Sequence, residues 1–141
     1  MNPMRFRAAG ATAVALLLTA GAVAVAAPAS AKAHTLTLGA VTPSAQARSA
    51  VAVGLTYICD TGSDVDIVTA VTGPVRGGKA AVAAVTVPNS RLTCDFAEHS
   101  LALTLRPLSG RFAAGDRVHV TTGFSAADGA LFGAVEKSAV L

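Results

Sequence analysis

Apolar residues alternate with small or polar residues along most of this chain, and this period of two constrains the fold more than any other feature. Within the segment 51–59 the odd positions are all apolar or cysteine: Val51, Val53, Leu55, Tyr57 and Cys59. A strand directs successive side chains to opposite faces of a sheet. The pattern therefore predicts a strand with one face in a core.

Seven further segments show the same alternation. They are 34–39, 65–72, 81–87, 90–95, 100–105, 117–124 and 130–140. Turn-forming residues separate them, with Gly73-Pro74 and Pro88-Asn89-Ser90 as examples. Short strands at a spacing of roughly 8 to 12 residues predict an all-β, immunoglobulin-like antiparallel β-sandwich of about seven or eight strands. The helical alternative, residues 79–85, is too short to be stable.

The first 31 residues have the composition of a secretory signal peptide. Arg5 and Arg7 precede an uncharged stretch over 8–27, and residues 29–31 (Ala-Ser-Ala) supply the small side chains that signal peptidase requires. We expect cleavage after Ala31, with Ala33 as the alternative. An uncleaved anchor is the competing interpretation, because about twenty apolar residues can span a bilayer. The prediction is a secreted, extracellular protein with one domain over residues 32–141.

The charge balance of the mature chain excludes two classes of partner. The full chain carries 11 Lys and Arg against 8 Asp and Glu. Removing Arg5 and Arg7 leaves nine basic and eight acidic residues, so the mature charge is about +1. A near-neutral chain lacks the basic surface that nucleic acid or an anionic membrane requires. We therefore predict no nucleic-acid partner, and no membrane association after signal cleavage.

Cys59 and Cys94 are the only cysteines. In an oxidising compartment such a pair forms one disulfide, which for a loop of this size stabilises a domain by on the order of 3 to 4 kcal/mol. A metal-binding or redox-active pair would need a CxxC motif or a nearby histidine at ligand spacing, and Cys59 has neither. The two cysteines are thus predicted to be structural, with Cys94 in the fifth strand.

Three aspartates follow Cys59 closely, at Asp60, Asp64 and Asp66. A calcium loop needs oxygen ligands at alternating positions and a closing bidentate acid, and no glutamate stands at the required distance. Asp60 with Gly62 is typical of an Asx-type turn. The pattern favours a turn and a solvated strand face, while weak cation binding and an acid–base pair remain as alternatives. We predict no metal and no cofactor.

Residues 73–79, read GPVRGGK, match the glycine and lysine spacing of a phosphate-binding loop. Ala80 stands where such a loop needs Ser or Thr for magnesium, and no helix is predicted to follow. A glycine-rich hairpin tip is the better interpretation. We predict an interaction loop over 73–79, and its candidate contact residues are Arg76, Gly77, Gly78 and Lys79.

The three histidines, His34, His99 and His119, are scattered and form no HExxH motif or nucleophile elbow. His34 is expected in a flexible start of the mature chain, His99 in a turn, and His119 on an outer strand face. We predict no catalytic residues and no enzyme activity. Phe112 lies beside a turn and is predicted to plug the core.

Four stretches carry a resemblance to a known group. They are the signal ending at 29–31, LTYICD at 55–60, LTCDFAEHSLALTL at 92–105 and GRFAAGDRVHVTT at 110–122. These residues resemble small secreted immunoglobulin-like proteins of the high-GC Gram-positive (actinobacterial) type. The resemblance implies a fold and an extracellular location, and it implies no reaction.

Two other secreted families are similar in size. Apoproteins of enediyne antibiotics are similar in being immunoglobulin-like sandwiches that hold an apolar ligand, but they usually carry two disulfides. Bacterial subtilisin inhibitors resemble the chain in length and export, but brace their reactive loop with two disulfides.

Our first hypothesis is a non-catalytic interaction or structural module for an extracellular protein or cell-wall component. The alternatives are a carrier of a small apolar ligand and a protease inhibitor presenting the loop 73–79.

Overall fold

The computed structural model describes residues 34–141, which belong to one compact unit, Lys32–Leu141. The signal peptide expected at 1–31 and its cleavage site lie outside the described residues. The described part is all-β apart from one short 3₁₀ turn, and no helix in it is long and apolar enough to cross a membrane.

In the described residues, eight strands form two antiparallel sheets. The first sheet has three strands in the order β1-β2-β5, and the second has five in the order β6-β4-β3-β7-β8. The strand bounds are β1 Thr35–Pro43, β2 Val51–Ile58, β3 Val65–Arg76, β4 Lys79–Val87, β5 His99–Leu105, β6 Pro107–Ser109, β7 Arg117–Ala126 and β8 Leu131–Val140. The predicted all-β architecture of two antiparallel sheets with one disulfide is confirmed.

The alternation places the apolar faces of both sheets in one core. In β2 the odd residues from Val51 to Tyr57 are buried, and in β7 Val118, Val120 and Phe124 are at most 1% exposed. Phe112, predicted as a core plug, is 4% exposed. Since residues of the two inner faces belong to one buried cluster, the sheets pack face to face.

Two strands continue past the predicted end through a β-bulge. In β1 the register shifts between Leu38 and Val41, where three steps along β1 oppose two along β2. The additional residue keeps both Leu38 and Val41 on the inner side. A similar shift in β3, between Thr72 and Val75, absorbs Gly73-Pro74, which the sequence predicts as a turn.

The strand predicted over 90–95 is wrong. Residues Asn89–Arg91 form a 3₁₀ turn, and Cys94 lies in the irregular segment that leads to β5 rather than in the fifth strand. The Cys59–Cys94 disulfide, with Cα atoms 4.7 Å apart, attaches this segment to the end of β2. The Thr93 amide also donates to the buried Tyr57 hydroxyl at 3.0 Å. Leu92 and Cys94 alternate with exposed residues because they pack against the core, although this segment pairs with no strand.

The strand β6 is absent from the sequence prediction. It pairs with β4 only at Val82 and Ala83, and its first residue is Pro107. Proline cannot donate a ladder hydrogen bond, but it is tolerated at the start of an edge strand. Proline is typical of turns, but in the structure Pro107 is the first residue of an edge strand.

One polar pair lies inside the core. Thr69 on β3 and Thr122 on β7 are both fully buried, and their hydroxyl oxygens are 2.8 Å apart. The Thr122 hydroxyl donates to the carbonyl oxygen of Val68 at 3.2 Å, so the hydrogen between the two threonines comes from Thr69. Both hydroxyls are satisfied across adjacent strands.

This donor order predicts unequal costs for two isosteric substitutions. Thr122→Val leaves the buried Thr69 donor without a partner and should lower the free energy of unfolding by about 1–3 kcal/mol. Thr69→Val leaves Thr122 bonded to Val68 and should cost less. The double variant should cost less than the sum of the two. Denaturant unfolding of all four proteins measures these differences, and a strictly additive double variant would contradict the pairing.

Candidate functional site

The structure brings the sequence-predicted contact residues together at one end of the sandwich. Gly77 and Gly78 form the two-residue turn of the β3–β4 hairpin, both with positive φ (57° and 75°), as a type I′ turn requires. Arg76 and Lys79 flank that turn and are exposed. The expected loop over 73–79 is thus mostly strand, with a tight turn at its tip.

A cleft of about 400 Å³ lies beside this hairpin, and we call it the basic cleft. It is lined by Pro74, Arg76, Gly77, Lys79, Gly110 and Arg111. Three of these six residues are cationic and none is acidic. Arg111 was not predicted, because nothing in the linear pattern indicates that the segment after β6 folds back against the hairpin.

Gly110 allows this approach. Its φ is +60°, and a Cβ there would lie 2.7 Å from the carbonyl oxygen of Ala80 and 2.8 Å from the Cα of Ala81. Only glycine fits both the left-handed conformation and the contact with β4. The next residues, Arg111 and Phe112, are then directed differently, since Arg111 is exposed at the cleft and Phe112 is buried.

Arg76 is held by the carboxylate of Asp116, which lies 40 residues further along the chain. Its Nη1 donates to Asp116 Oδ2 at 2.9 Å and its Nη2 donates to Oδ1, so the pair is bidentate. The Asp116 side chain is 3% exposed, whereas that of Arg76 is 51% exposed. Asp116 Oδ2 also accepts the Ala113 amide at 2.9 Å. The guanidinium is therefore fixed on its inner side and open to solvent on the other.

The same contacts change the acidity of both groups. The hydrogen bond from Arg76, assisted by the Ala113 amide, lowers the pKa of Asp116 although burial opposes this. The hydrogen bond to Asp116 raises the pKa of Arg76. Both groups are thus charged throughout the physiological range. The charge of Arg76, one of the three cations at the cleft, is compensated by the buried Asp116.

A second cavity lies at the opposite end of the sandwich, since β3 runs from Val65 there to Arg76 at the basic cleft. We call it the aromatic pocket, and its volume is about 560 Å³. It is lined by His34, Gly62, Asp64, Val65, Ala126 and Phe132. The loop between β2 and β3 and the β7–β8 hairpin form its walls.

His34 is packed in this pocket, which corrects the expectation of a flexible start. Its ring contacts Phe124 edge-on at a centroid distance of 5.1 Å and Phe132 at 5.3 Å. His34 Nε2 is buried and has no hydrogen-bond partner among residues 34–141. A buried imidazole nitrogen without a partner is unfavourable, because an imidazole nitrogen normally donates or accepts a hydrogen bond.

The three aspartates after Cys59 do not converge. The backbone carbonyl oxygen of Asp60 accepts the Ser63 amide at 3.1 Å, so a turn forms there. The Asx-type turn expected from the sequence is not seen, because Asp60 Oδ1 is buried and has no partner in residues 34–141. Asp64 lines the aromatic pocket, and Asp66 Oδ1 accepts the Asn89 amide at 2.8 Å, so Asp66 is not simply solvated. In the described part of the chain no three His, Cys, Asp or Glu side chains are grouped to hold a metal ion.

The other two histidines lie outside both cavities. His99 Nε2 is 2.7 Å from Asp95 Oδ1, at the start of β5. His119 is on the outer face of the five-stranded sheet, as predicted, with Glu136 and Ser138 each at 3.4 Å. Both distances from His119 exceed the usual 2.6–3.2 Å of catalytic proton transfer. The three side chains lie on an open strand face that excludes no water.

Comparisons with protein-family models, with curated proteins and with solved structures found no match to this chain. The class that the observations define is an all-β domain of two antiparallel sheets with one disulfide. Its function is inferred from the geometry of the basic cleft and the aromatic pocket.

The depressed pKa of Asp116 predicts a pH dependence of stability. A carboxyl with a lowered folded-state pKa stabilises the fold above its unfolded-state pKa of about 3.9, and this contribution is lost as the pH falls through the folded-state value. Asp116→Asn should therefore lower the Tm at pH 7, and the difference from wild type should narrow toward pH 2. Thermal unfolding from pH 7 to 2 measures this, with the exposed Asp64→Asn as control. A Tm difference that is independent of pH would contradict the role of the charge.

Proposed function

We propose that this chain is a secreted, non-catalytic, immunoglobulin-like interaction module whose basic cleft binds an anionic group of an extracellular partner or cell-wall component. The observation that carries the proposal is the convergence of Arg76, Lys79 and Arg111 on one cleft whose lining contains no acid. The signal-like N-terminus and the disulfide, a bond that persists in oxidising compartments, support the extracellular location.

The strand order supports the immunoglobulin-like assignment. Strands β1, β2 and β5 form one sheet, and β4, β3, β7 and β8 lie in that order in the other. This corresponds to strands A, B and E facing C′, C, F and G of immunoglobulin-type sandwiches. The disulfide differs from the antibody pattern, because it joins the end of β2 to the segment before β5 rather than to β7.

The chemistry of the cleft suits a phosphate or carboxylate. A guanidinium presents its donors in a planar fork that matches these anions, and charge-assisted hydrogen bonds are stronger than neutral ones. Because the buried Asp116 orients Arg76, little side-chain entropy remains to be lost on binding. Lys79 and Arg111 add positive charge that no described carboxylate neutralises by an ion pair.

The hypothesis of a protease inhibitor receives no structural support. An inhibitor loop must protrude with its reactive residue available to the enzyme. Arg76 instead ends strand β3 and is bound to Asp116, and only Gly77 and Gly78 form the turn. The hairpin presents these residues as the wall of a cleft.

The basic cleft can be tested with a model polyanion. We expect linear polyphosphate to bind the purified protein, and Lys79→Glu or Arg111→Glu each to weaken binding by at least about tenfold, the equivalent of one charge-assisted contact of roughly 1.4 kcal/mol. Isothermal titration calorimetry at fixed ionic strength measures the affinity.

Arg91→Glu is the matched control, because Arg91 is exposed and follows the Val87 end of β4, opposite the Lys79 end that lines the cleft, and the variant changes the net charge equally. Its affinity should stay near that of wild type. An equal loss in all three variants would mean that general electrostatic attraction, and not the cleft, binds the polymer.

A second function, the carriage of a small apolar ligand, is favoured by the aromatic pocket. Its specific feature is the His34 ring, which packs edge-on against the stacked rings of Phe124 and Phe132 and whose buried Nε2 has no partner in residues 34–141. Ligand sites are commonly apolar cavities with a few polar groups that fix orientation. The fitting ligand is a small aromatic compound with one hydrogen-bonding group.

A matched pair of probes tests this second function. We expect 1-naphthol to bind more tightly than naphthalene, because only the hydroxyl can pair with His34 Nε2, and His34→Phe should abolish that preference. Probe fluorescence is a clean measurement, since the chain contains no tryptophan. Failure of both probes to bind, or an unchanged preference in His34→Phe, would contradict the carrier function.

A further inference from the structure

Each of the two sheets has two edge strands, and the four edges are protected unequally. An unprotected edge presents unpaired backbone N–H and C=O groups that can pair with another strand. Natural proteins block such edges with proline, bulges, charged side chains, short strands or covering segments. The four edges are β1 and β5 in the three-stranded sheet, and β6 and β8 in the five-stranded sheet.

Three of the four edges carry these protections. β1 contains a bulge and ends at Pro43, and β6 has three residues and begins with Pro107. β8 contains a register shift and two adjacent charged residues, Glu136 and Lys137. Lys137 Nζ also donates to the carbonyl oxygen of Gly39 at 2.6 Å, which joins β8 to β1 and closes that side of the sandwich.

β5 has none of them. It pairs with β2 at every residue from His99 to Leu105 with no register shift, and it contains no proline and no Lys, Arg, Asp or Glu. Its other edge has no strand partner within residues 34–141. That edge borders a groove of about 220 Å³, lined by β5, by Arg91 of the 3₁₀ turn and by the Val85–Val87 part of β4, which β6 does not cover.

The charges that flank β5 are complementary under a two-fold rotation. Glu98 precedes the strand and Arg106 follows it. Both are exposed, and neither forms an ion pair in the described part of the chain. The even residues from 98 to 106 are all exposed, whereas the odd residues from 99 to 105 are at least partly buried. Glu98 and Arg106 therefore lie on the same outer face as Ala102.

We propose that two copies of this chain dimerise by antiparallel pairing of their β5 edges, with Ala102 opposite Ala102 at the two-fold axis. This register places Glu98 of each copy opposite Arg106 of the other, and Ser100 opposite Thr104. Opposite charges and Ser–Thr pairs are favourable cross-strand neighbours. The two three-stranded sheets become one six-stranded sheet, and the interface is isologous, as in most homodimers.

The charge pattern favours a second copy over an unrelated extended peptide. Strand addition by a peptide would require only the free backbone edge. The symmetric placement of one acid and one base at equal distances from Ala102 gives two attractive pairs only when the partner strand is β5 itself in antiparallel orientation. This inference is independent of the anion-binding function, because β5 contributes no residue to the basic cleft.

Charge reversal tests the register. Sedimentation velocity over a range of protein concentrations, at low salt, should give a dimer for protein expressed from the full sequence. Glu98→Arg creates two Arg–Arg contacts across the axis, and Arg106→Glu creates two Glu–Glu contacts. Each single variant should raise the dimer dissociation constant by at least about tenfold. The double variant Glu98→Arg/Arg106→Glu restores opposite charges and should recover the wild-type constant.

Two controls separate the interface from folding and from general charge effects. Both substituted residues are exposed, so circular dichroism and Tm should stay unchanged in the single variants. Arg117→Glu, an exposed substitution on β7 in the other sheet, should not affect dimerisation. Hydrogen exchange of β5 amides should slow as the protein concentration rises. A protein that remains monomeric at millimolar concentration overturns the proposal. The proposal is also overturned if neither single variant changes the dimer dissociation constant, or if the double variant does not recover the wild-type constant.

Discussion

The burial of two alternately patterned faces against each other is the constraint on which the rest of this structure depends. Val53 on β2, Ile67 on β3 and Phe124 on β7 lose nearly all solvent contact and belong to one buried cluster. Because one face of most long strands is committed to the core, the polar and charged side chains lie mainly on the outer faces, at the edges and at the two ends. Both cavities described above lie where strands end.

The two ends of the sandwich differ in how their polar groups are satisfied. At the hairpin end, the buried Asp116 receives two donors from Arg76 and one from Ala113, so the cleft is preorganised and charged. At the other end, the Nε2 of His34 and the hydroxyl of Ser63 are buried without partners in residues 34–141. Satisfied polar groups make a site rigid, whereas unsatisfied ones leave interactions for a ligand to complete.

The segment between the 3₁₀ turn and β5 has a structural role that depends on the disulfide. Cys94 is bound to Cys59, and the Phe96 amide donates to the carbonyl oxygen of Cys59 at 3.1 Å. Phe96 adopts a positive φ of 65° and is 57% exposed, a conformation uncommon for a bulky residue. The crosslink thus holds this turn beside the end of β2, a few residues before β5 begins.

The sequence by itself determined the fold class, most strand positions, the pairing of its two cysteines and the Gly77–Gly78 turn, because alternation and turn chemistry are local properties. Only the tertiary structure decided that 90–95 is not a strand, that Pro107 begins one, and that Arg111 and Asp116 meet the hairpin at Arg76. It also decided that His34 is packed against two phenylalanines. These features depend on contacts between residues distant along the chain, such as Arg76 and Asp116, which are 40 positions apart. The period-two pattern carries no information about which strands become neighbours or which edge stays unpaired.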